Sequence, residues 1–403
     1  ENGSVTKDGG YSVLSTTPSG TEKLLFDYVN YSGVHTGIRV VGDKLYKWDG
    51  SAWSEIGGGF NNNRASAINY LDRVYIAQPG TSLKRYNGTN LENVASDTEG
   101  VTISGKYLTT IGSSLYIGNM QSPYKSSQVL VSMPDTDKFY NPLEEDHNTY
   151  ETTSRYISVV GEITGMVGYR GTLLIFTEDS LWQWNPALLG EAKVIARTGC
   201  VAHDTIREID GILYWASREG VYRFDGNNMP ILISLPLTNW NINSIWRLIH
   251  PNSWSKLSAG AYEGRYYLWL GDMLSSLPGD SQPLTDVVVV FDTYRGTWGF
   301  YDKHPVMQWS TLMIEGNKRL AFSSNTATGG TYLRDYSYTH AGEAIDMRIR
   351  TKYFDFNHPE EEKVLTKFVC NYRPEAQTGK FINVSIAKDG DNDYVSMISP
   401  TSP

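Results

Sequence analysis

Short runs of alternating apolar and polar residues, separated by polar turns, dominate this chain. The clearest example covers residues 210–226, with a first run at Ile212–Ala216, a polar turn at 218–220 and a second run at Val221–Phe224. Alternation with period two around a turn that contains Gly is typical of a β-hairpin. We therefore predict two paired strands here, closed by a second turn at Asp225-Gly226.

The second strand of this hairpin recurs along the chain. Related runs end in an aromatic residue, followed by Asp or Asn and then Gly or Pro, at Trp48, Tyr86, Trp184 and Phe224. A partner strand precedes most copies, and another short strand often precedes the partner. Three or four short strands per unit, at a period of roughly 40 to 45 residues, are typical of β-propeller blades.

A single four-stranded sheet cannot bury both of its apolar faces, whereas sheets stacked around an axis bury each face against a neighbour. The pattern thus predicts an all-β protein with a β-propeller of about six to seven blades over residues 24–345. A row of β-sandwiches is the alternative, although sandwich strands rarely repeat at this spacing with the same turn chemistry.

Four segments depart from the repeat. Residues 1–23 are rich in Gly, Ser and Thr and are interpreted as an extended N-terminal arm or a first partial strand. Residues 119–155 hold three prolines and an acidic run, which indicates a long insertion. Residues 235–250 have the apolar spacing of a helix that Pro251 would end. Residues 346–403 alternate without the blade motif and predict the start of a β-sandwich-like domain, incomplete at Pro403.

Composition agrees with this picture and excludes some functions. Aromatic residues make up 12% of the chain, and 38 Gly residues are present, which favours strands and tight turns over helices. The net charge of −9 provides no basic surface for gripping nucleic acid. The sequence contains no run of 18 apolar residues, so no transmembrane helix is predicted. Cys200 and Cys370 could form one disulfide, but two separate free thiols are the favoured interpretation.

The sequence contains no catalytic motif. The Gly-x-Ser-x-Gly, phosphate-loop and dinucleotide-binding patterns are all missing. No histidine has zinc-site spacing to another histidine or to a cysteine; the histidines are His35, His147, His203, His250, His304, His340 and His358. We therefore assign no catalytic, cofactor-binding or metal-ligating residue, and we predict neither enzyme activity nor a cofactor.

Two motifs leave alternatives open. The acidic stretch 389–393 could bind calcium, but it lacks the closing glutamate of an EF-hand and stands where two strands need a turn. The segments 49–53 and 292–298 resemble the Asp-box of sialidases. No motif groups the arginines that a sialidase would need; the candidates are Arg155, Arg170, Arg197, Arg207, Arg223 and Arg247. A carbohydrate-binding or glycoside-hydrolysing propeller remains the alternative function.

Three segments carry a resemblance to a known family: 40–53, which includes Lys44–Trp48, 171–184, which ends in Leu-Trp-Gln-Trp, and 348–356, followed by Lys363. In texture and order they resemble the tail hub or nozzle (tail tubular) proteins of short-tailed bacteriophages. Those proteins are usually longer than this chain. They carry a β-propeller with a β-sandwich platform and form the lower tail tube.

The resemblance implies a structural protein of the virion tail, assembled in the host bacterial cytoplasm. Copies would form a ring, a hexamer by the resemblance, in contact with portal or adaptor proteins and with fibre or spike proteins. DNA would pass through the lumen without specific binding, and a negatively charged chain suits such a conduit. A kelch-like or WD-like cellular scaffold is a third class, but its blade signatures are missing. We expect functional contacts where the repeat breaks, at residues 119–155, 271–286 and beyond Ala344.

Overall fold

The computed structural model describes residues 10–94, 102–122, 124–139, 156–188, 190–235, 245–276, 283–335 and 339–345, together with the backbone of 384–386 and 395–398. The chain divides into two units, one of residues 1–275 and 283–345 and the other of residues 276–282 and 346–403. The first unit is a β-propeller of seven blades. The prediction of an all-β propeller with six to seven blades is therefore confirmed.

The strands in chain order are β1 (Tyr11–Ser15), β2 (Glu22–Val29), β3 (His35–Val41), β4 (Lys44–Trp48), β5 (Trp53–Gly58), β6 (Ser66–Tyr70), β7 (Arg73–Ala77), β8 (Lys84–Tyr86), β9 (Leu91–Asn93), β10 (Tyr107–Ile111), β11 (Ser114–Gly118), β12 (Gln128–Val131), β13 (Tyr156–Ser158), β14 (Gly165–Tyr169), β15 (Thr172–Phe176), β16 (Leu181–Trp184), β17 (Lys193–Ala196), β18 (Arg207–Ile209), β19 (Ile212–Ala216), β20 (Val221–Phe224), β21 (Ile231–Leu232), β22 (Ser258–Tyr262), β23 (Arg265–Gly271), β24 (Val287–Asp292), β25 (Thr297–Tyr301), β26 (Val306–Ile314), β27 (Asn317–Ser324), β28 (Thr331–Arg334), β29 (Thr339–His340), β30 (Glu343–Ala344), β31 (Val384–Ile386) and β32 (Val395–Ile398).

Blades 1 to 6 are four-stranded antiparallel sheets whose strands follow chain order, from β2–β5 in blade 1 to β22–β25 in blade 6. Blade 7 has the order β26-β27-β28-β1-β29-β30. The first strands of neighbouring blades contact each other, so they surround the propeller axis. We call the end of the propeller where these innermost strands begin the loop face, and the opposite end the turn face.

The hairpin predicted at residues 210–226 is confirmed, with β19 and β20 at the predicted bounds. The recurring strand that ends in an aromatic residue is the third strand of its blade, and a fourth strand lies outside it. Several fourth strands, such as β9 and β21, are only two or three residues long. Such short segments are too brief to show an alternating pattern, so the sequence did not reveal them.

Tight turns on the turn face join the first and second strands of most blades. Asp210 and Gly211 both have positive φ, at 51° and 76°, and Arg170 and Gly171 repeat this geometry at 49° and 75°. Two successive residues of positive φ define a type I′ turn, whose twist matches that of the flanking strands. Gly at the second position removes the steric cost there.

The recurring aromatic residues of the third strands pack between blades. Tyr86 of blade 2 lies 5.8 Å from Tyr28 of blade 1, and Phe224 of blade 5 lies 6.0 Å from Tyr169 of blade 4, measured between ring centroids. Trp184 packs on Tyr116 of the preceding blade at 6.1 Å in the same way. Burial of these rings against a neighbour, rather than a binding role, explains why the aromatic position repeats.

Tyrosine hydroxyls near the ends of innermost strands tie four of the blades to the next. Tyr169 donates to the carbonyl oxygen of Gly211 at 2.6 Å, and Tyr70 donates to that of Ser113 at 2.6 Å. Tyr28 and Tyr262 donate in the same way to the next blade, at 2.9 Å each. These bonds anchor the turn of one blade to the edge of its predecessor.

The propeller closes through its N-terminal segment. β1 pairs antiparallel with β28, with Tyr11 opposite Arg334, and so becomes part of blade 7. Residues 1–23 were interpreted chiefly as an arm outside the propeller, and the structure instead places Tyr11–Ser15 within its last blade. Because β28 lies more than 300 residues downstream, local sequence could not reveal this pairing.

A fully buried ion pair, Arg39–Glu22, lies at the seam between blades 7 and 1. Arg39 Nη1 lies 3.1 Å from Glu22 Oε1, and both side chains have no exposed surface. The guanidinium also donates to Thr331 Oγ1 of β28 and to the Pro18 carbonyl, at 3.1 Å each. Burial raises the pKa of Glu22, while Arg39 and a hydrogen bond from the Gly330 N–H oppose that shift.

Other sequence predictions are refined by the structure. Of the predicted helix at 235–250, Leu235 is α-helical and Ile245–Leu248 form a 3-10 helix, while residues 236–244 lie outside the described residues. A second 3-10 helix follows at Pro251–Lys256. Pro251 begins the second of these, since a residue without a free N–H is favoured at a helix start. Within residues 119–155, β12 is the third strand of blade 3, and residues 140–155 lie outside the described range.

The buried Cys200 is a free thiol, and Cys370 lies outside the described residues. In the second unit, β31 and β32 form an antiparallel pair, with Ser385 opposite Ser396. The remainder of the predicted C-terminal domain, including the acidic stretch 389–393, lies outside the described residues.

Replacing Tyr169 with Phe should lower the free energy of unfolding by about 1 kcal/mol, because it removes an interblade hydrogen bond and keeps the packed ring. Urea unfolding followed by tryptophan fluorescence measures the change. Tyr31→Phe is the matched control, since the Tyr31 side chain is 77% exposed. Equal effects of the two variants would contradict the role assigned to the Tyr169 hydroxyl.

Replacing Arg39 with Met should destabilise the protein by about 3–5 kcal/mol, because it leaves the Glu22 carboxylate buried without its partner. The double variant Arg39→Met/Glu22→Met should recover part of this loss, since neither charge then remains in the seam. Urea midpoints of both single variants and the double variant provide the comparison. A double variant whose loss equals the sum of the single losses would show that the two groups do not act as a pair.

Candidate functional site at the propeller axis

Charged residues from distant parts of the chain meet at the axis on the loop face. Arg64 comes two residues before β6, Lys106 comes directly before β10, and His203 and Asp204 lie in a 3-10 helix ahead of β18. Because innermost strands surround the axis and begin on the loop face, residues just ahead of them converge there. We call Arg64, Lys106, Tyr107, His203 and Asp204 the axial cluster.

An ion pair crosses the axis. Arg64 Nη1 lies 3.1 Å from Asp204 Oδ2, although the two residues are 140 positions apart. Arg64 also donates from Nη2 to the carbonyl oxygen of Met307. The second oxygen of Asp204 accepts a bond of 3.3 Å from Gln308 Nε2, and Gln308 Oε1 accepts from the Leu25 N–H at 2.9 Å. The network therefore links blades 2, 5, 7 and 1.

His203 lies against an aromatic neighbour in the same cluster. Its ring centroid is 4.6 Å from that of Tyr107, and its Nδ1 accepts a long bond of 3.4 Å from the Met166 N–H. Burial lowers the pKa of His203 to about 4, against the opposing effect of Asp204 and with smaller contributions from Arg207 and Lys106. His203 is therefore neutral near pH 7, with its proton on Nε2.

Burial also affects the other ionisable members of the axial cluster. It lowers the pKa of Arg64, which Asp204 opposes, and it raises the pKa of Tyr107. Arg207, which adds a further positive charge nearby, has its pKa lowered chiefly by burial as well. A positively charged region with little water strengthens attraction to any negative group that enters it.

A small cavity of about 60 Å³ lies at the cluster, lined by Arg64, Ser66, Lys106, Tyr107, His203 and Asp204 among others. A second cavity, of about 110 Å³, lies at the outer part of blade 5 between β19, β20 and β21. It is lined by Ile212, Arg223, Asp225, Asn228, Met229 and Ile231. Only the first combines several buried charges, so it is the stronger candidate site.

Most residues that the sequence offered as site candidates have a structural role instead, beginning with the Asp residues of the Asp-box-like motifs. Asp49 Oδ1 accepts bonds from the Ser51 and Ala52 N–H groups, and Asp292 Oδ1 accepts from those of Tyr294 and Arg295. Asn87 and Asp225 repeat this arrangement in two other blades. The Asp-box-like motifs are thus Asx turns that connect third and fourth strands.

The arginines considered for a sialidase are dispersed among the described residues. Arg207 lies near the axis, Arg170 lies at a tight turn on the opposite face, and Arg223 lines the outer cavity of blade 5. Arg155 lies outside the described residues. Within the described ranges, no group of three or more His, Cys, Asp or Glu side chains could hold a metal ion.

Sequence reasoning missed the axial cluster, and His203 was noted only as a histidine without zinc-site spacing. Arg64, Lys106 and Asp204 belong to three different connectors, and only closure of the ring brings them together. The signal in the sequence is weak: a charged residue stands one to three positions ahead of an innermost strand, where an ordinary connector also carries polar residues.

Comparisons with known proteins add little beyond the architecture. No family model and no curated protein sequence matches this chain. Among solved structures it is similar to the extracellular domain of a protein described as a hybrid two-component system from B. thetaiotaomicron, with 13% identity and a TM-score of 0.45 over 79% of this chain and 40% of that one. PorZ, a surface component of the type-IX secretion system of Porphyromonas gingivalis, is similar at 10% identity, with a TM-score of 0.47 over 84% of this chain and 39% of that one.

YCF48 bound to a D1 peptide is similar at 11% identity, with a TM-score of 0.46 over 82% of this chain and 96% of that one. The chain spans about two fifths of the length of the first two proteins, at 40% and 39%. Among the described residues, no helix is long and apolar enough to cross a membrane.

Stability should fall as the pH drops from about 6.5 towards 4, because the unfolded chain binds a proton that folded His203 resists. The variant His203→Gln should remove this component and flatten the profile over that window. Urea unfolding at several pH values measures the slope. Parallel profiles for His203→Gln and wild type would contradict the assignment.

Proposed function

We propose that this chain is a non-catalytic structural component of a bacteriophage tail, in which copies form a ring that contributes to the DNA conduit. The family resemblance of segments 40–53 and 171–184 supports this proposal. In the structure they form β3–β5 of blade 1 and β15–β16 of blade 4, so both belong to the propeller framework. The third resembling segment, 348–356, lies outside the described residues.

The observation that carries the proposal is a set of exposed apolar side chains on the outermost strands of four consecutive blades. The fourth strands of blades 3 to 6 each present a large apolar side chain: Tyr156 and Val194 are 48% exposed, Ile231 is 48% exposed and Phe300 is 47% exposed. The turns before three of these strands add Leu188, Met229 and Tyr294, at 76%, 65% and 78% exposure. We call these seven residues the apolar flank.

Single exposed apolar residues are ordinary on a protein surface. Here the fourth strands of four consecutive blades each expose one, which random placement does not explain. The fourth strands of blades 1 and 2 differ, since they expose Glu55 and Glu92. A ring of identical copies needs two different contact surfaces on each copy, and this asymmetry around the propeller meets that need.

In this proposal, DNA would pass through the centre of the ring of copies and not along the axis of a single propeller. Arg64 and Asp204 cross that axis, and the cavity beside them has a volume of about 60 Å³, far too small for a nucleic acid strand. The chain's net charge of −9 would limit its attraction to passing phosphates. Portal, adaptor, fibre or spike proteins are the partners that the family resemblance suggests.

The test is assembly of the purified protein, measured by light scattering after size exclusion and by negative-stain microscopy. We expect ring-shaped oligomers, which the double variant Val194→Lys/Ile231→Lys should convert to monomers because two charges would then lie in the contact. Val34→Lys is the matched control, since Val34 is 55% exposed but lies in the turn between β2 and β3 of blade 1, away from the fourth strands. It should assemble as the wild type does.

A protein that stays monomeric at high concentration and is absent from purified virions would contradict the proposal. Binding to defined sugars on a glycan array by such a monomer would instead favour the carbohydrate-binding alternative. Assembly that Val34→Lys and the flank variant disturb equally would show that the apolar flank is not the contact.

A further inference from the structure

The axial cavity holds more hydrogen-bond donors than acceptors. Among the described residues, the Lys106 ammonium has no ion-pair or hydrogen-bond partner, and it lies 5.2 Å from the centroid of the Tyr107 ring. A lysine ammonium carries three donors and no acceptor. An uncompensated charge of this kind beside a buried aromatic ring favours a ligand that brings negative charge.

The only carboxylate among the lining residues is already engaged. Asp204 Oδ2 is paired with Arg64 at 3.1 Å, and Asp204 Oδ1 accepts from Gln308 at 3.3 Å. Asp204 therefore balances Arg64 and leaves the charge of Lys106 uncompensated. With His203 neutral, the lining carries one net positive charge.

Two further lining groups can donate. The Met166 N–H donates to His203 Nδ1, which leaves the imidazole proton on Nε2 as a donor. Ser66 Oγ accepts from the Leu108 N–H at 3.4 Å, so its hydroxyl proton remains available. Lys106, His203 and Ser66 thus form a donor set that comes from three different blade connections.

We propose that the axial cavity binds a small tetrahedral oxyanion, such as phosphate or sulfate, through Lys106, His203 and Ser66, with the Arg64 guanidinium adjacent. The volume of about 60 Å³ exceeds the ~10–15 Å³ that one water-sized group needs, so the cavity has room for a small inorganic anion. Charge-assisted hydrogen bonds, such as those from Lys106 to an oxyanion, are the strong ones.

The test is calorimetric titration of the whole chain with inorganic phosphate near neutral pH, with sodium chloride at matched ionic strength as the reference. We expect phosphate and sulfate to bind and chloride to give no saturable heat. The variant Lys106→Met should weaken phosphate binding by roughly tenfold or more, because it removes a charged donor. His203→Phe, which keeps an aromatic ring against Tyr107, should also weaken it.

Lys125→Met is the control, because it removes the same charge from an exposed connector of the loop face and should leave the affinity unchanged. Circular dichroism and the unfolding midpoint in chloride establish that each variant is folded before titration. Absence of saturable phosphate binding to the wild type would overturn the proposal. So would an equal loss of affinity in Lys106→Met and Lys125→Met, which would indicate general charge attraction rather than a site.

Discussion

Closure of the ring is the constraint on which the rest of this structure depends. Each blade buries one face against the blade before it and the other against the blade after it, so an open seam would expose two apolar faces at once. The seam between blades 7 and 1 joins segments from opposite ends of the propeller. There β1 pairs with β28, and Arg39 connects Glu22 and Thr331 within a region that has no exposed side-chain surface. A buried ion pair contributes little net stability, but it strongly disfavours a misregistered seam, because any shift would leave one charge buried alone.

The need to bury each blade face against its neighbour also explains why the same residue types recur from blade to blade. Aromatic residues recur at the ends of third strands because that position contacts the preceding blade, as Tyr86 does with Tyr28. Asp or Asn recurs next because its side chain accepts the N–H groups of the following turn, as Asp225 does for Asn227 and Asn228. Residues that resemble a chemical motif in the sequence therefore serve packing and turn formation.

The local parts of this fold could be predicted from the sequence, and the non-local parts could not. The hairpin of β19 and β20 was found at its actual bounds, because its alternation and turn lie within seventeen consecutive residues, 210–226. Tyr11–Ser15 lies in the segment 1–23 that was interpreted as an arm or a first partial strand, and its place in the last blade was not predicted because it pairs with β28 near the other end of the propeller. The ion pair of Arg64 and Asp204 was not predicted for the same reason. Each is an ordinary connector residue in the sequence, and only ring closure brings their side chains within 3.1 Å.

The axial cluster and the seam are parts of one connected network. Asp204 holds Gln308 of blade 7, whose amide oxygen accepts from the Leu25 N–H of blade 1, and Arg64 holds the Met307 carbonyl of blade 7. Leu25 lies on β2, the strand that begins with Glu22, so the axial bonds and the buried ion pair restrain the same two blades. A ligand that binds the closed ring and not the open one stabilises closure in proportion to its occupancy. An anion held by Lys106 and His203 would therefore strengthen the seam from the axis, independently of any contact made through the apolar flank on the outside.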